Sequence, residues 1–67
     1  MIEMGTKIRE LRHANGLSQT DLAKLIKVSQ DTISLWERNK STPDAECIVG
    51  IAKTFGVSTD YLLGVED

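Results

Sequence analysis

Apolar residues recur at helical spacing in five short stretches of the chain, and residues that favour helix ends lie between these stretches. The spacing predicts helices over about residues 6–15, 18–26, 29–38, 43–55 and 58–63, and it predicts no strands. The expected fold class is therefore all-α, a compact five-helix bundle. Residues 1–67 are expected to form a single domain with its core at about 6–64.

Capping residues mark the beginnings of these predicted helices. A serine stands at the capping position before three of them: Ser18, Ser29 and Ser58. Asp21 completes a capping box with the first serine. Each serine is flanked by a pair of apolar residues that can form a hydrophobic staple: Leu17–Leu22, Val28–Ile33 and Val57–Leu62. Thr42 is expected to cap the fourth helix, with Pro43 at its first position.

Glycine and the chain ends bound the pattern. Gly16 and Gly56 are expected to end the first and fourth helices, because glycine readily adopts positive φ. Residues 1–5 are expected to be a frayed start, and an acidic tail follows Gly64.

The predicted third helix has two different faces. At about 100° of rotation per residue, Ile33 and Trp36 point to one side, which we expect to be buried. Glu37 points toward the same side, where a lone carboxylate is unfavourable, so we expect it to have a cationic partner. The opposite side and its flanks carry mostly polar residues: Gln30, Asp31, Thr32, Ser34, Leu35 and Arg38.

The formal net charge of −2 would by itself argue against a nucleic-acid-binding protein. The charges are unevenly distributed, however. Residues 5–40 carry seven basic and four acidic side chains, a net +3, whereas residues 41–67 carry one basic and five acidic side chains, a net −4. The chain can therefore present a mildly positive face to phosphates and turn its acidic end away.

Several function classes find no support in the sequence. No apolar run approaches the roughly 18 residues that span a bilayer, and no signal peptide is evident, so we expect no membrane partner. Cys47 is the single cysteine and indicates a reducing, cytoplasmic setting. His13 has no metal-ligand partners at suitable spacing, and no catalytic set of side chains occurs. We expect no enzyme activity, metal, cofactor or small-molecule ligand.

Residues in the predicted second and third helices resemble a known family. Gln19, Ala23, Ile33, Trp36 and Glu37 are spaced as in the helix-turn-helix of the phage-repressor (Cro/CI-type, XRE) DNA-binding domains. The resemblance runs from about residue 6 to 64 and includes LSQTDLA, the WERNKSTPD exit and the closing AKTFGVSTDYLLG. It implies a lambda-repressor-like bundle in which helices 2 and 3 form the helix-turn-helix. The family often has glycine where this chain has Lys27 and Asn39, each at a left-handed turn.

The resemblance implies a sequence-specific, double-stranded DNA-binding transcriptional regulator, a repressor, that reads the major groove with helix 3. Gln30 can form bidentate hydrogen bonds with adenine, and Leu35 suits a thymine methyl group. Asp31 can accept a hydrogen bond from cytosine N4, but it also repels phosphates, so its main effect can be to disfavour other sequences. Ser34 can reach a base or a water. The alternative for all four is an ordinary solvated helix face.

Phosphate contacts are expected from helix N-termini and the loop after helix 3. The candidates are Ser18, Gln19, Thr20, Thr32, Arg38, Asn39, Lys40 and Ser41. In the family, the glutamine at Gln19 contacts the DNA backbone and supports the recognition-helix glutamine, here Gln30. The resemblance also implies a structural ion pair between Arg12 and Glu37; the alternative is a solvated arginine that contributes little.

We expect a homodimer at least on DNA, with half-sites about 34 Å apart. Exposed apolar residues of the fourth and fifth helices, with Tyr61, Leu63 and Val65 as candidates, can build the interface. The expected location is cytoplasmic, in association with a bacterial or phage nucleoid. An alternative function is a protein-interaction module of the same fold, such as an antitoxin or anti-repressor, which the acidic net charge and Asp31 favour slightly.

Overall fold

Helices form the regular structure of the chain. The computed structural model describes residues 4–65 and contains, in order, α1 (Met4–Ala14), α2 (Gln19–Ile26), α3 (Gln30–Glu37), α4 (Ala45–Phe55) and α5 (Thr59–Leu63). No strand occurs within these residues, so the predicted all-α, five-helix fold is confirmed. In the same range, no helix combines the length and the apolar character needed to cross a membrane.

The three predicted serine caps are present. The hydroxyls of Ser18, Ser29 and Ser58 accept hydrogen bonds from the backbone N–H groups three residues later, at 3.0, 3.2 and 2.9 Å. The Asp21 carboxylate accepts in return from the Ser18 backbone N–H at 2.9 Å, which completes the capping box. A cap of this kind stabilises a helix by about 1 kcal/mol. Because α2 and α3 have only eight residues each, their starts depend strongly on these bonds.

Two helix starts differ from the prediction. Thr42 does not cap α4 and Pro43 does not begin it: Pro43 is buried in the preceding loop, and Asp44 is the cap. The Asp44 carboxylate accepts from the Cys47 backbone N–H at 2.9 Å, and an anion at this place also interacts favourably with the helix dipole. Asp44, which is charged and stands directly before the helix, therefore caps α4 in place of Thr42.

The first helix begins earlier than expected. Met4 and Gly5 are helical and buried, whereas the sequence predicts a frayed start over residues 1–5. Met4 packs into the core, and the Gly5 N–H donates to Asn39 Oδ1 at 3.3 Å, so contacts distant in sequence hold this first turn. The other residues assigned to fraying, 1–3, and the acidic tail at 66–67 lie outside the described residues.

Residues in the left-handed backbone conformation end several helices. Lys27 (φ 60°) and Asn39 (φ 56°) adopt positive φ where the family resemblance implied a left-handed turn. Gly16 and Gly56 do so as well, both at φ 67°. A non-glycine residue in this conformation carries strain of about 1–2 kcal/mol. The chain tolerates this strain at Lys27, where the backbone N–H still donates to the Ala23 carbonyl and closes α2.

Each helix contributes one fully buried aliphatic side chain to a single core. These residues are Ile8, Leu22, Ile33, Ile51 and Leu62. Trp36 is buried beside them, as the two-faced pattern of the third helix predicted. Burying each such aliphatic side chain contributes about 1.5–3 kcal/mol. The position of α3 therefore depends on Ile33 and Trp36, and its opposite side is left toward solvent.

An ion pair joins α1 to the end of α3. Arg12 Nε donates to Glu37 Oε2 at 2.7 Å and Arg12 Nη2 donates to Glu37 Oε1 at 2.9 Å. The side chains are only 9% and 4% exposed. Arg12 Nη1 also donates to the Leu17 carbonyl at 2.9 Å, in the loop between α1 and α2. The pair expected from the sequence is present, and it fixes three segments relative to one another.

The ion pair shifts the titration of both partners. Burial raises the pKa of Glu37, but hydrogen bonds from Arg12 and Gln19, with the positive charges of Arg12 and Arg9, outweigh burial and leave that pKa below its usual value. The hydrogen bond to Glu37 raises the pKa of Arg12, against the opposing effect of burial. Glu37 is therefore ionised at neutral pH. A carboxylate whose pKa is lower in the folded state stabilises the fold above its unfolded-state pKa and loses this effect in acid.

We predict that Glu37→Ala lowers the free energy of unfolding by about 3–5 kcal/mol at pH 7, because it leaves Arg12 charged and buried without a partner. Arg12→Met combined with Glu37→Met removes both charges and should restore the folded state. Chemical denaturation measures both variants. The matched control is Glu10→Gln, which removes a negative charge from an exposed position and should change stability by less than about 0.5 kcal/mol.

The same double variant tests the pH dependence. The parent should lose stability as pH falls below the ordinary glutamate pKa of about 4.3 and toward the lower folded-state pKa. The pKa values of Asp21 and Asp44 are also lowered, by hydrogen bonds from Ser18 and Cys47 respectively. The double variant therefore still loses some stability in acid. The double variant should nevertheless lose less stability between pH 7 and pH 3. Equal losses would contradict a contribution from the ion pair.

A third prediction concerns the contact between α1 and the end of α3. A Cβ added to Gly5 would overlap the Trp36 carbonyl oxygen and lie 2.8 Å from Asn39 Oδ1. We expect Gly5→Ala to destabilise the protein by about 1–3 kcal/mol through overpacking. Gly50→Ala is the matched control, because its Cβ would meet only the Ile26 side chain, at 3.7 Å, and the change should stabilise α4 by up to about 1 kcal/mol. Urea denaturation should show that Gly5→Ala lowers the free energy of unfolding and that Gly50→Ala raises it. Equal changes in the two variants would refute the close approach of Gly5 to Trp36.

Candidate nucleic-acid interface

The outer face of α3 carries the four predicted base-reading residues. Gln30, Asp31 and Leu35 are exposed, and Ser34 is half-buried. Leu35 is 38% exposed although it lies one residue before the buried Trp36, because successive helical residues point in different directions. The structure therefore brings these residues to one accessible face. Gln30 and Asp31 lie in the first turn, which is the part of a recognition helix that meets base edges.

A chain of hydrogen bonds connects this face to the buried ion pair. Gln30 Nε2 donates to Gln19 Oε1 at 2.5 Å, as the family resemblance implied. Gln19 Nε2 donates to Glu37 Oε1 at 3.1 Å, and the same oxygen accepts from Arg12. Four side chains from three helices are thus linked in series. The outermost, Gln30, is exposed and the innermost, Arg12, is buried.

The candidate phosphate-contacting residues of α2 lie around its N-terminus. Ser18 and Thr20 are exposed and Gln19 is half-buried. The Ser18 oxygen accepts from the Asp21 N–H, which leaves its hydroxyl hydrogen able to donate to a phosphate. On α3, Thr32 is half-buried, and its hydroxyl oxygen lies 2.8 Å from the Ser29 hydroxyl oxygen. Thr32 therefore supports the start of α3 as well as standing near the predicted DNA-facing side.

The remaining candidates follow α3 in sequence, and all four are exposed: Arg38, Asn39, Lys40 and Ser41. Arg38 Nε donates to the Ser34 carbonyl at 3.3 Å, so this guanidinium lies along its own helix. The Asn39 side-chain oxygen accepts from Gly5 and belongs to the contact with α1. Asn39 thus has a structural role that the local sequence pattern does not predict.

The hydrogen bond between Gln19 and Glu37 is a second contact that the sequence did not predict, since it indicated only a cationic partner for Glu37. A signal for it exists in the sequence. Gln30 and Glu37 are seven residues apart and lie on nearly the same side of α3, so a side chain beside Gln30 can also approach Glu37. Lys7 Nζ donates to the Tyr61 carbonyl at 2.8 Å and lies 5.0 Å from the centre of the Tyr61 ring, a contact between α1 and α5 that the local sequence pattern does not predict.

Comparisons with known proteins agree with this geometry. The helix-turn-helix family model matches residues 8–62. Repressor protein C2 of Salmonella phage P22 is 38% identical over 60 residues, which cover 90% of this chain and 28% of that protein. An HTH-type transcriptional regulator of Methanocaldococcus jannaschii is 38% identical over 64 residues, covering 96% of this chain and 97% of the relative. The chain spans 52% of the length of the Bacillus subtilis regulator ImmR and only about a third or less of some other relatives.

The fold is likewise similar to solved structures. A crystal structure of the P22 c2 repressor in complex with a synthetic operator superposes with a TM-score of 0.88 at 36% identity, covering 94% of this chain and 96% of that chain. The restriction-modification controller protein C.AhdI of Aeromonas hydrophila gives a TM-score of 0.82 at 30% identity, with 91% and 92% covered. With the family match, these similarities show that the chain belongs to the phage-repressor-like (Cro/CI-type, XRE) helix-turn-helix family.

Proposed function

We propose that this chain is the DNA-binding unit of a sequence-specific transcriptional regulator, a repressor, and that α3 enters the major groove. The observation that carries this proposal is the exposed first turn of α3, where Gln30 and Asp31 stand on a helix fixed by its buried opposite face. Relatives named as HTH-type transcriptional regulators, and the similarity to a repressor in complex with an operator, support it. We place this activity in the cytoplasm.

In this proposal, the side chains of α3 divide the work of recognition. Gln30 forms two hydrogen bonds with one base, and Leu35 contacts a thymine methyl group. Ser34, being half-buried, reaches a base directly or through water. Asp31 accepts from cytosine N4 and repels bases that present only acceptors at the same place.

Phosphates are contacted from the two sides of α3. The N-terminus of α2 supplies Ser18, Gln19 and Thr20, together with the positive end of the helix dipole. Thr32 and the segment 38–41 supply the remaining contacts. Because residues 5–40 carry a net charge of only +3, we expect a modest dependence of affinity on salt for each monomer.

Dimerisation on DNA is part of the proposal. A single small module buries only about 600–1,000 Å² on DNA, so a second copy would supply much of the affinity. Val65 is 72% exposed beyond the end of α5, whereas Tyr61 and Leu63, which were expected to be exposed, are half-buried. We assign the contact between the two copies to these three residues.

We predict that Gln30→Ala weakens binding by about 1–3 kcal/mol, and only for duplexes that carry the preferred base at one position. A duplex selected from a random library, with its complete set of single-base variants, would be measured by competition. Lys40→Ala is the matched control, because loss of a phosphate contact should weaken binding to every duplex alike and reduce the salt slope by about 1. If Gln30→Ala also weakens all duplexes uniformly, Gln30 does not read a base.

A second candidate function is a protein-interaction module of the same fold. The exposed carboxylate of Asp31, in the first turn of α3, is the observation that favours it, since an acidic group there repels phosphates. Binding to a random duplex at about 50 mM salt discriminates between the two functions. Measurable binding that weakens with salt supports the DNA-binding unit, whereas its absence would favour the protein-interaction module.

A further inference from the structure

The hydrogen bonds between Gln30 and the ion pair have a defined direction. A glutamine amide can donate through its nitrogen or accept through its oxygen, whereas an ionised carboxylate can only accept. Glu37 is ionised at neutral pH and is held by two hydrogen bonds from Arg12. Gln19 must therefore turn its nitrogen toward Glu37, as observed at 3.1 Å.

The orientation of Gln19 decides the orientation of Gln30. With its nitrogen toward Glu37, Gln19 presents its oxygen to Gln30, and an amide oxygen can only accept. Gln30 consequently donates one of its two Nε2 hydrogens to Gln19. One N–H donor and the oxygen acceptor of Gln30 are left for a partner outside the protein.

This remaining pair of groups matches one purine and not the other. In the major groove, adenine offers the N7 acceptor beside the N6 amino donor, whereas guanine offers two acceptors, N7 and O6. A donor next to an acceptor on Gln30 is complementary to adenine. If Gln19 were reversed, its nitrogen would donate to the Gln30 oxygen, and Gln30 would offer two N–H donors, which suit guanine.

Reversal of Gln19 is opposed from inside the protein. It would place the Gln19 oxygen against Glu37, so that two acceptors faced each other at a half-buried site. Glu37 cannot easily turn away, because its side chain is 4% exposed and both of its oxygens are bonded to Arg12. The buried ion pair therefore determines the donor-to-acceptor direction of the hydrogen bonds from Glu37 through Gln19 to Gln30.

We propose that Glu37 is a positioning residue for base selection: through Gln19 it sets the hydrogen-bonding direction of Gln30 and thereby a preference for adenine over guanine. The inference rests on the proposed function of α3. It goes beyond the support of Gln30 by Gln19, because it assigns the choice between the two purines to a carboxylate in the buried ion pair.

Two substitutions at Gln19 test the direction while keeping the ion pair. Gln19→Lys supplies only donors, so it should bond Glu37 and the Gln30 oxygen and reverse the direction. Gln19→Met supplies neither a donor nor an acceptor, so the Gln30 amide should be able to turn either way. Competition assays would compare duplexes that differ only by A·T or G·C at the base pair where Gln30→Ala loses discrimination.

The parent should prefer adenine by roughly 5- to 150-fold, the range for one good bidentate contact. Gln19→Met should lower the adenine-to-guanine ratio toward one, and Gln19→Lys should lower it at least about tenfold, toward or past equality. A merely structural role of Gln19 would change both affinities together and leave their ratio unaltered. Equal ratios in the parent and Gln19→Lys would overturn the inference.

The role of Glu37 itself is tested with the double replacement Arg12→Met and Glu37→Met, whose folding is checked by circular dichroism. Without the carboxylate, Gln19 can take either orientation, so the ratio should fall to within about threefold of one while binding persists. Nuclear magnetic resonance of the free protein gives a readout without DNA. The side-chain amide protons of Gln19 and Gln30 should exchange slowly in the parent and faster in the double variant.

The outcomes separate this inference from the proposed function. Specific binding by the parent with an unaltered purine ratio in the double variant would overturn the inference and leave the proposed function intact. If the parent protein binds no duplex at all, both the proposed function and this inference are overturned. A reduced ratio together with faster exchange of the amide protons would support the positioning role of Glu37.

Discussion

The buried pair of Arg12 and Glu37 is the interaction on which the rest of the arrangement depends. Moving two charges out of water costs several kcal/mol for each ion, and only a geometry that satisfies their hydrogen-bonding groups offsets this. Here both carboxylate oxygens and all three guanidinium nitrogens have partners. Apolar packing could give similar stability without being directional. The ion pair instead requires α1, the loop after it and α3 to meet in one orientation.

The apolar core complements this directional contact. One fully buried aliphatic residue from each helix brings the five helices together, but such contacts alone permit small rotations of a short helix about its axis. Ile33 and Trp36 determine which side of α3 faces inward. Glu37, near the same side, is held at a fixed position by Arg12. In a helix of eight residues, fixing its last residue and its buried face also fixes the direction of its first turn.

The sequence predicts best what depends on neighbouring residues. The serine caps, the capping box at Asp21 and the buried side of α3 follow from local patterns, and the family resemblance supplied the ion pair and the left-handed turn at Lys27. The early start of α1 could not be predicted, because it depends on the approach of Gly5 to Asn39, 34 residues away. The sequence predicts the wrong cap for α4 because Thr42 and Asp44 are both good caps, and the local pattern does not show that Asp44 stands directly before the first helical residue.

In the candidate site, too, the sequence predicts the features that depend on neighbouring residues and not those that depend on distant ones. Helical periodicity predicted the exposure of Gln30, Asp31 and Leu35 on α3. It did not predict that the amide of Gln30 has a preferred direction, because this is a property of a hydrogen-bonded series and not of any one residue. Each member restricts the next: a guanidinium that can only donate, a carboxylate that can only accept, and two amides that must then align. A surface amide alone would present its donor and acceptor in either order. In this fold, its order is determined by a charge that solvent scarcely reaches.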